Sequence, residues 1–250
     1  MDVSTRTAVV TGGASGIGRS ICCHLAAQGH RVGVLDANAE AATKLVTELR
    51  STGAEALAVD VDVADATAVT KALGAVREAF GPIGILVTSA GIGGFTPFEE
   101  ITLDDFNRYV AVNLTDTFLF IQGVLPDMVS AGWGRIVTIS SAAGQTGAVN
   151  QGHYATTKGG VIALTKTVAL EYAARGITVN TIPPFVADTP MLRQQQEGKK
   201  LPPEKILSRA IPAGRLGSGD DIAAVCAFLC TEAAGYVTGQ VIGVNGGAVI

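Results

Sequence analysis

A doubly wound α/β architecture, with a parallel sheet of seven strands and helices on both faces, is the fold class that the sequence predicts. Short β-branched runs alternate with longer helical stretches from end to end. The runs are apolar throughout, as strands buried on both faces are. With 250 residues, 48% hydrophobic against 16% charged, the chain can fill one large core but cannot hold two full catalytic domains and a linker. Residues 1–250 therefore read as a single domain.

In chain order, strands are expected at Thr7–Thr11, Arg31–Leu35, Ala56–Asp60, Ile83–Thr88, Arg135–Ser140, Ile177–Ile182 and Gln240–Val244. Helices are expected at Gly16–Gln28, Asn38–Ser51, Ala66–Phe80, Leu103–Ser130, Tyr154–Arg175 and Gly219–Cys230, where apolar residues recur at three- and four-residue spacing. Phe118 and Phe120, in the middle of one of these helices, read as core or subunit contact. The span 183–216 breaks the alternation. It carries Pro183, Pro184, Pro190, Pro202, Pro203 and Pro212 and the mixed-charge segment Glu197-Gly198-Lys199-Lys200, and it reads as a lid or substrate loop, the alternative being a solvated surface loop. Without a repeat of 20 to 50 residues or a low-complexity tract, solenoids and propellers drop out.

Composition removes further classes. Glycine, at 31 of 250 residues, has no three-residue period, so collagen is excluded and tight turns or close backbone approaches are implied. A net charge of −4 gives a nucleic-acid backbone nothing to bind. No apolar run approaches the ~18 to 20 residues of a membrane span. The polar start, Met1 to Arg6, leads directly into a strand and leaves no room for a signal peptide, so a cytoplasmic location is expected. Cys22-Cys23, Cys226 and Cys230 match neither a zinc spacing nor a secreted disulfide framework, and even with His24 nearby they read as small buried helix residues; no metal is expected.

The chemistry is concentrated in a few motifs. Thr11-Gly12-Gly13-Ala14-Ser15-Gly16-Ile17-Gly18 follows the first strand and opens a helix. Glycines at 12, 16 and 18 let the backbone turn sharply and approach a ligand, and a helix N-terminus offers free N–H groups and a positive dipole end to a pyrophosphate. Asp36 closes the second strand, where a carboxylate accepts hydrogen bonds from an adenosine ribose. Its charge would repel a 2′-phosphate, and neither Ser15 nor Ala37 supplies a cation, so NAD(H) is preferred over NADP(H). Farther on, Tyr154 and Lys158 lie one helical turn apart, and a nearby ammonium can lower a phenol from ~10 toward working pH, making it a competent acid/base. Ser141, at the end of a strand, can hold a carbonyl oxygen beside that tyrosine.

With these motifs on one chain, together with Asp62-Val63 after the third strand, Asn113 in Val112-Asn113-Leu114 and a Pro-rich segment ending at Thr189, the sequence resembles the short-chain dehydrogenase/reductase family over its whole length. The resemblance implies a Rossmann-like sheet of seven parallel strands, a homotetramer, and hydride exchange between nicotinamide and an alcohol or ketone. It implies that Tyr154 is the acid/base, that Lys158 binds the nicotinamide ribose and tunes Tyr154, that Ser141 orients the substrate oxygen, and that Asn113 supports a water-mediated proton relay. Asp62 and Val63 would flank the adenine. Ser89, Ala90 and Gly91, and Pro184, Ala187 and Thr189, would meet the rest of the cofactor. Phe95, His153, Phe185, Met191 and Leu192 are expected around the substrate, His153 in a pocket-rim or supporting role.

Two departures stand out. Where the family usually shows Asn-Asn-Ala-Gly, this chain has Thr88-Ser89-Ala90-Gly91, so the bonds that brace the central strands must be remade by Ser and Thr. Where it usually shows Pro-Gly, this chain has Pro184-Phe185, which places a large aromatic beside the nicotinamide: either it walls the substrate pocket or the backbone there differs. Within the family the pattern is most similar to 3-oxoacyl-carrier-protein reductases and carbonyl or hydroxysteroid reductases. Arg175 matches one of the basic residues that such reductases use for carrier docking, but Gly132 stands at another, so a free small or medium ketone is favoured over an acyl carrier protein. The reading from another class is a catalytically silent dinucleotide sensor or scaffold, whose signature would be a broken set of Asn113, Ser141, Tyr154 and Lys158.

Overall fold

The computed structural model describes residues 5–198 and 200–250. The start Met1 to Ser4 and Lys199 of the charged segment lie outside the described residues. In chain order the elements are β1 (Thr7–Thr11), α1 (Gly16–Ala27), β2 (Arg31–Asp36), α2 (Ala39–Ser51), β3 (Ala56–Asp60), α3 (Ala66–Phe80), β4 (Ile83–Thr88), α4 (Leu103–Val110), a π-helical turn (Ala111–Thr115), α5 (Asp116–Ala131), β5 (Gly134–Ile139), α6 (Ala143–Thr146), α7 (Gly152–Tyr172), β6 (Ile177–Ile182), α8 (Pro190–Glu197), α9 (Glu204–Leu207) and α10 (Gly219–Leu229). All strand pairs are parallel, in the order β3-β2-β1-β4-β5-β6.

Alternate strand residues feed two cores, which is why the strands read as continuous apolar runs. On one face Ala8, Val10, Val32, Val34, Ile85, Val87 and Val137 meet α1, α2 and α10. On the other Val9, Leu35, Leu86, Ile136 and Val179 meet α3, α5 and α7 through Leu73, Phe120, Val124 and Val168. Fully burying a side chain of this size stabilises by ~1.5–3 kcal/mol, so each face anchors its helices many times over. Cys22, Cys226 and Cys230 are free and buried in the first core, where burial pushes the Cys22 thiol well up. Among the described residues no group of three or more His, Cys, Asp or Glu could hold a metal, and no helix is long and apolar enough to cross a membrane.

Two expectations are corrected and a third is filled in. The seventh strand, Gln240–Val244, reduces to a single bridge between Thr181 and Val241, so the sheet has six strands. Two bonds make that bridge, the Thr181 N–H to the Gln240 carbonyl and the Ile242 N–H to the Thr181 carbonyl, both 2.9 Å. Around them side chains take over the ladder: Asn180 donates to the Val237 carbonyl and accepts from the Gln240 N–H, and Thr238 Oγ1 accepts from the Val179 N–H. The expected helix Leu103–Ser130 is two helices, broken by the π turn at Ala111–Thr115. And the 183–216 connection contains α8 and α9, with a small core of its own from Leu192, Ile211 and Leu216.

Candidate active site

β1 and β4 are neighbours in the sheet but not in the chain, so the connections leaving their carboxyl ends part in opposite directions and open a crevice. A cleft of about 1000 Å³ occupies it. One wall is the turn after β1. Gly12 has φ +63°, and a Cβ there would lie 2.8 Å from the Ala90 Cα; a Cβ on Gly18 would lie 2.1 Å from the Gly12 carbonyl oxygen. Any side chain at either place would push the turn off the loop after β4 or off its own helix.

The turn delivers α1 with a bare N-terminus: Ser15 is the N-cap but its side chain makes no cap bond, and no acidic residue stands in the first turn. Free amides and the positive end of the helix dipole thus face the cleft. Asp36, at the end of β2, accepts from the Ala14 N–H through Oδ2 at 3.0 Å and from the Asn38 N–H through Oδ1 at 2.9 Å, so the carboxylate is aimed by two backbone donors at the rim. Bare amides beside a fixed carboxylate suit a dinucleotide, pyrophosphate on the first and ribose hydroxyls on the second.

The brace that sequence left open is made by Thr11. Fully buried, its Oγ1 accepts from the N–H groups of Ser89 (3.2 Å) and Ala90 (3.1 Å), tying the end of β1 to the loop after β4. The Thr88 and Thr117 hydroxyl oxygens lie 3.4 Å apart. Hydroxyls from three threonines therefore span this central region.

The residues expected to meet the dinucleotide, from Gly12 and Ser15 through Asp62, Val63 and Gly91 to Pro184, Ala187 and Thr189, all line the cleft, as do Tyr154 and Lys158. So do Phe95, Ser141, Phe185, Met191 and Leu192. Phe185 is 40% exposed and keeps an ordinary backbone, since Asn150 is the one non-glycine residue with positive φ among the described residues. It therefore lines the cleft with its backbone outside the left-handed region.

Two expected residues are not among those lining the cleft. His153 is buried and stacked on Tyr109, ring centroids 3.8 Å apart, so it packs behind the wall instead of forming the rim. Burial lowers its pKa. Asn113, in the π turn, is also buried: its Oδ1 accepts from the Ile92 N–H (2.8 Å), and its Nδ2 donates to the Ile92 carbonyl (3.0 Å) and Thr157 Oγ1 (3.3 Å). Its amide still reaches the back of the cleft, because a Cβ on Gly91 would sit 3.1 Å from Asn113 Oδ1 and 3.5 Å from Lys158 Nζ.

Tyr154 departs from expectation electrostatically. Its phenol is pushed up, first by burial and then by Tyr109, with only the Ser141 hydroxyl pulling it down by hydrogen bonding. Lys158 lines the same cleft. The ammonium donates to the Ile139 carbonyl at 2.9 Å, burial lowers it to about 8, and the charge acting on it is that of Asp116.

Sequence reasoning missed Arg108, Gln151 and Gln195 in the cleft wall. Gln195 Nε2 donates to the Gly93 carbonyl (3.1 Å) and Gln151 Nε2 to that of Gly94 (3.4 Å), which latches α8 and the start of α7 to the loop after β4. A signal for α8 was present in Thr189-Pro190, an N-cap followed by proline at the first helical position, and Thr189 Oγ1 does accept from the Leu192 N–H.

A protein-family model described as enoyl-(acyl carrier protein) reductase matches residues 12–249. D-threitol dehydrogenase of Mycolicibacterium smegmatis is 38% identical over 98% of this chain and 93% of its own length. The 3-oxoacyl-(acyl-carrier-protein) reductase FabG of Aquifex aeolicus is 39% identical over 97% of this chain and 96% of its own. Among solved structures, that of levodione reductase superimposes with a TM-score of 0.93 at 35% identity, covering 97% of this chain and 96% of that one.

Proposed function

Since the chain belongs to the short-chain dehydrogenase/reductase family and is an oxidoreductase acting on CH–OH donors, we propose that it interconverts a ketone and a secondary alcohol with NAD(H), Tyr154 exchanging the proton. The observation that carries this reading is the meeting of Ser141, Tyr154 and Lys158 in the same cleft as the glycine turn and Asp36. A bound nicotinamide supplies or accepts the hydride. As negative charge builds on the substrate oxygen during reduction, Ser141 donates a hydrogen bond and Tyr154 gives its proton. A phenol held above its ordinary value keeps that proton through neutral pH, which favours reduction; oxidation needs the phenolate and gains as pH rises. Lys158, with Nζ beside Gly91, would hold ribose hydroxyls, and Asn113 would support proton return from behind Gly91.

The preference for NAD(H) rests on Asp36 and on the absence of a cation to meet a 2′-phosphate: among the described residues lining the cleft the Lys and Arg side chains are Arg108 and Lys158, and Arg19 on α1 is engaged by Glu48 at 2.5 Å. The substrate in this reading is a free small or medium ketone. The carrier-bound alternative draws on the FabG relatives and on Arg175, which here lies over the Tyr172 ring, 5.4 Å from its centroid. Homotetramer assembly is part of the proposal, supported by exposed Leu103 and Phe118 on α4 and α5, Leu170 on α7, and Tyr236 and Ile250 near the C-terminus. Sedimentation as a monomer at micromolar concentration would contradict it.

The test is turnover of a panel of ketones and alcohols with NADH and NADPH in parallel, followed at 340 nm. Higher kcat/KM with NADH on a free ketone is expected. A preference for NADPH would overturn the reading of Asp36, activity confined to acyl-carrier substrates would favour the alternative, and tight NADH binding without any turnover would point to a sensor.

A further inference from the structure

Asp116 heads α5, three residues beyond Asn113, and is completely buried. Its Oδ1 accepts from the N–H and the hydroxyl of Thr117, while Oδ2 is buried with no hydrogen-bond partner. A carboxylate removed from water with half its acceptor capacity unused persists as an ion only if a positive charge lies close. Among the elements around Asp116 that charge is Lys158 of α7, which packs on the π turn leading into α5: Asn113, three residues before Asp116, donates to Thr157 beside Lys158, and its amide lies with Lys158 Nζ against Gly91. Arg77 of α3 is turned to Asp127, Arg135 of β5 to the carbonyls of Thr231 and Gly176, and His153 to Tyr109; Tyr154 faces the cleft, and Lys166 and Glu171 are exposed on the outer side of α7. Lys158 is equally enclosed: one proton of its ammonium is spent on the Ile139 carbonyl, and its head lies beside Gly91 and Asn113.

We propose that Asp116 is a positioning residue for Lys158, a buried counter-charge behind the cleft that keeps the ammonium protonated and available to a bound nucleotide as pH rises. The inference rests on the reading of Lys158 as the ribose-holding cation and adds the group that sustains it. Burial raises Asp116 to about 7 and lowers Lys158 to about 8, and each charge pulls the other back toward its ordinary value. A lysine whose pKa is lowered gives up its proton at a lower pH than a free one. Removing the Asp116 charge moves that loss lower still, to where a working enzyme would feel it.

The experiment is NADH affinity of the intact protein, by fluorescence, from pH 6 to 10, for wild type, Asp116→Asn, Thr117→Val and Lys158→Met. Wild-type affinity is expected to fall through an alkaline midpoint that Lys158→Met abolishes. In Asp116→Asn the midpoint should drop by about 1 unit or more, the size of a close charge effect, while affinity at the acidic end stays within about two-fold of wild type. A merely structural role would weaken binding equally at every pH. Thr117→Val leaves the carboxylate but removes the hydroxyl that favours its ionised form, and should shift the midpoint in the same direction by less; it carries the test should the asparagine variant not fold. Midpoints unmoved in both variants, with the Lys158→Met control behaving as expected, overturn the role of Asp116 alone. Wild-type-like binding by Lys158→Met overturns the reading of Lys158, and this inference with it.

Discussion

At the Gly12–Gly18 end of the cleft the wall is main chain: glycines whose absent Cβ atoms admit the Gly12 carbonyl and Ala90, bare amides of α1, and a carboxylate held by two backbone N–H groups. At the other end it is side chain: Phe185, Met191, Leu192, Leu201 and Leu207, carried on the connection between β6 and α10. A wall of main chain cannot be altered without moving the sheet it grows from. A wall of side chains on an excursion with its own small core can be rebuilt while the sheet stays still. On the proposed function, the first wall would handle the fixed cofactor and the second would choose among ketones.

That division can be broken experimentally. The largest effect should fall between the two ends: Tyr154→Phe is expected to lower kcat by roughly 10²- to 10⁴-fold, the usual cost of losing acid/base catalysis, with NADH binding retained. Near-normal turnover would send the search for the proton source elsewhere, and His153, enclosed behind the wall, is poorly placed to replace it. Next, Gly18→Ala forces a methyl against the Gly12 carbonyl; it should cost about 1–3 kcal/mol, a fall of several degrees in Tm by calorimetry, and weaken NADH at least ten-fold. Smaller is the change from Asp36→Ala combined with Ala37→Arg, which should move the kcat/KM ratio of NADPH to NADH upward by about ten-fold as repulsion is replaced by a phosphate partner. Smallest is Phe185→Gly, which should reorder a ketone series by a few-fold each in kcat/KM and leave Tm within a few degrees. Should Gly18→Ala be silent and Phe185→Gly unfold the protein, the contrast between the two ends fails.

The same contrast decides what could be read in advance. The turn and Asp36 are local patterns at strand ends and the Tyr154–Lys158 pair is one turn of a helix, and local patterns are visible in sequence. The missing seventh strand was not, because Gln240–Val244 has strand composition, while beyond one bridge its ladder gives way to side-chain bonds from Asn180 of β6 and from Thr238. Nor was the π turn, which carries the Asn113 amide paired by two hydrogen bonds with the Ile92 backbone, 21 positions away. The upward push on Tyr154 was hidden for a like reason. Sequence supplies the spacing to Lys158, whereas the outcome depends on burial, on the Ser141 hydroxyl and on Tyr109.

Thr11 joins chain segments 78 positions apart, and that has a bearing on how the molecule comes into being. A ribosome that has released only β1, α1 and β2 has released the whole glycine motif and Asp36, yet the opposite lip of the crevice does not exist until β4 has been made and laid beside β1. Contacts of such long sequence separation are slow to form. Nucleotide capture is therefore a late event in folding, and an N-terminal fragment ending before β4 should bind no NADH however well its own strands pair.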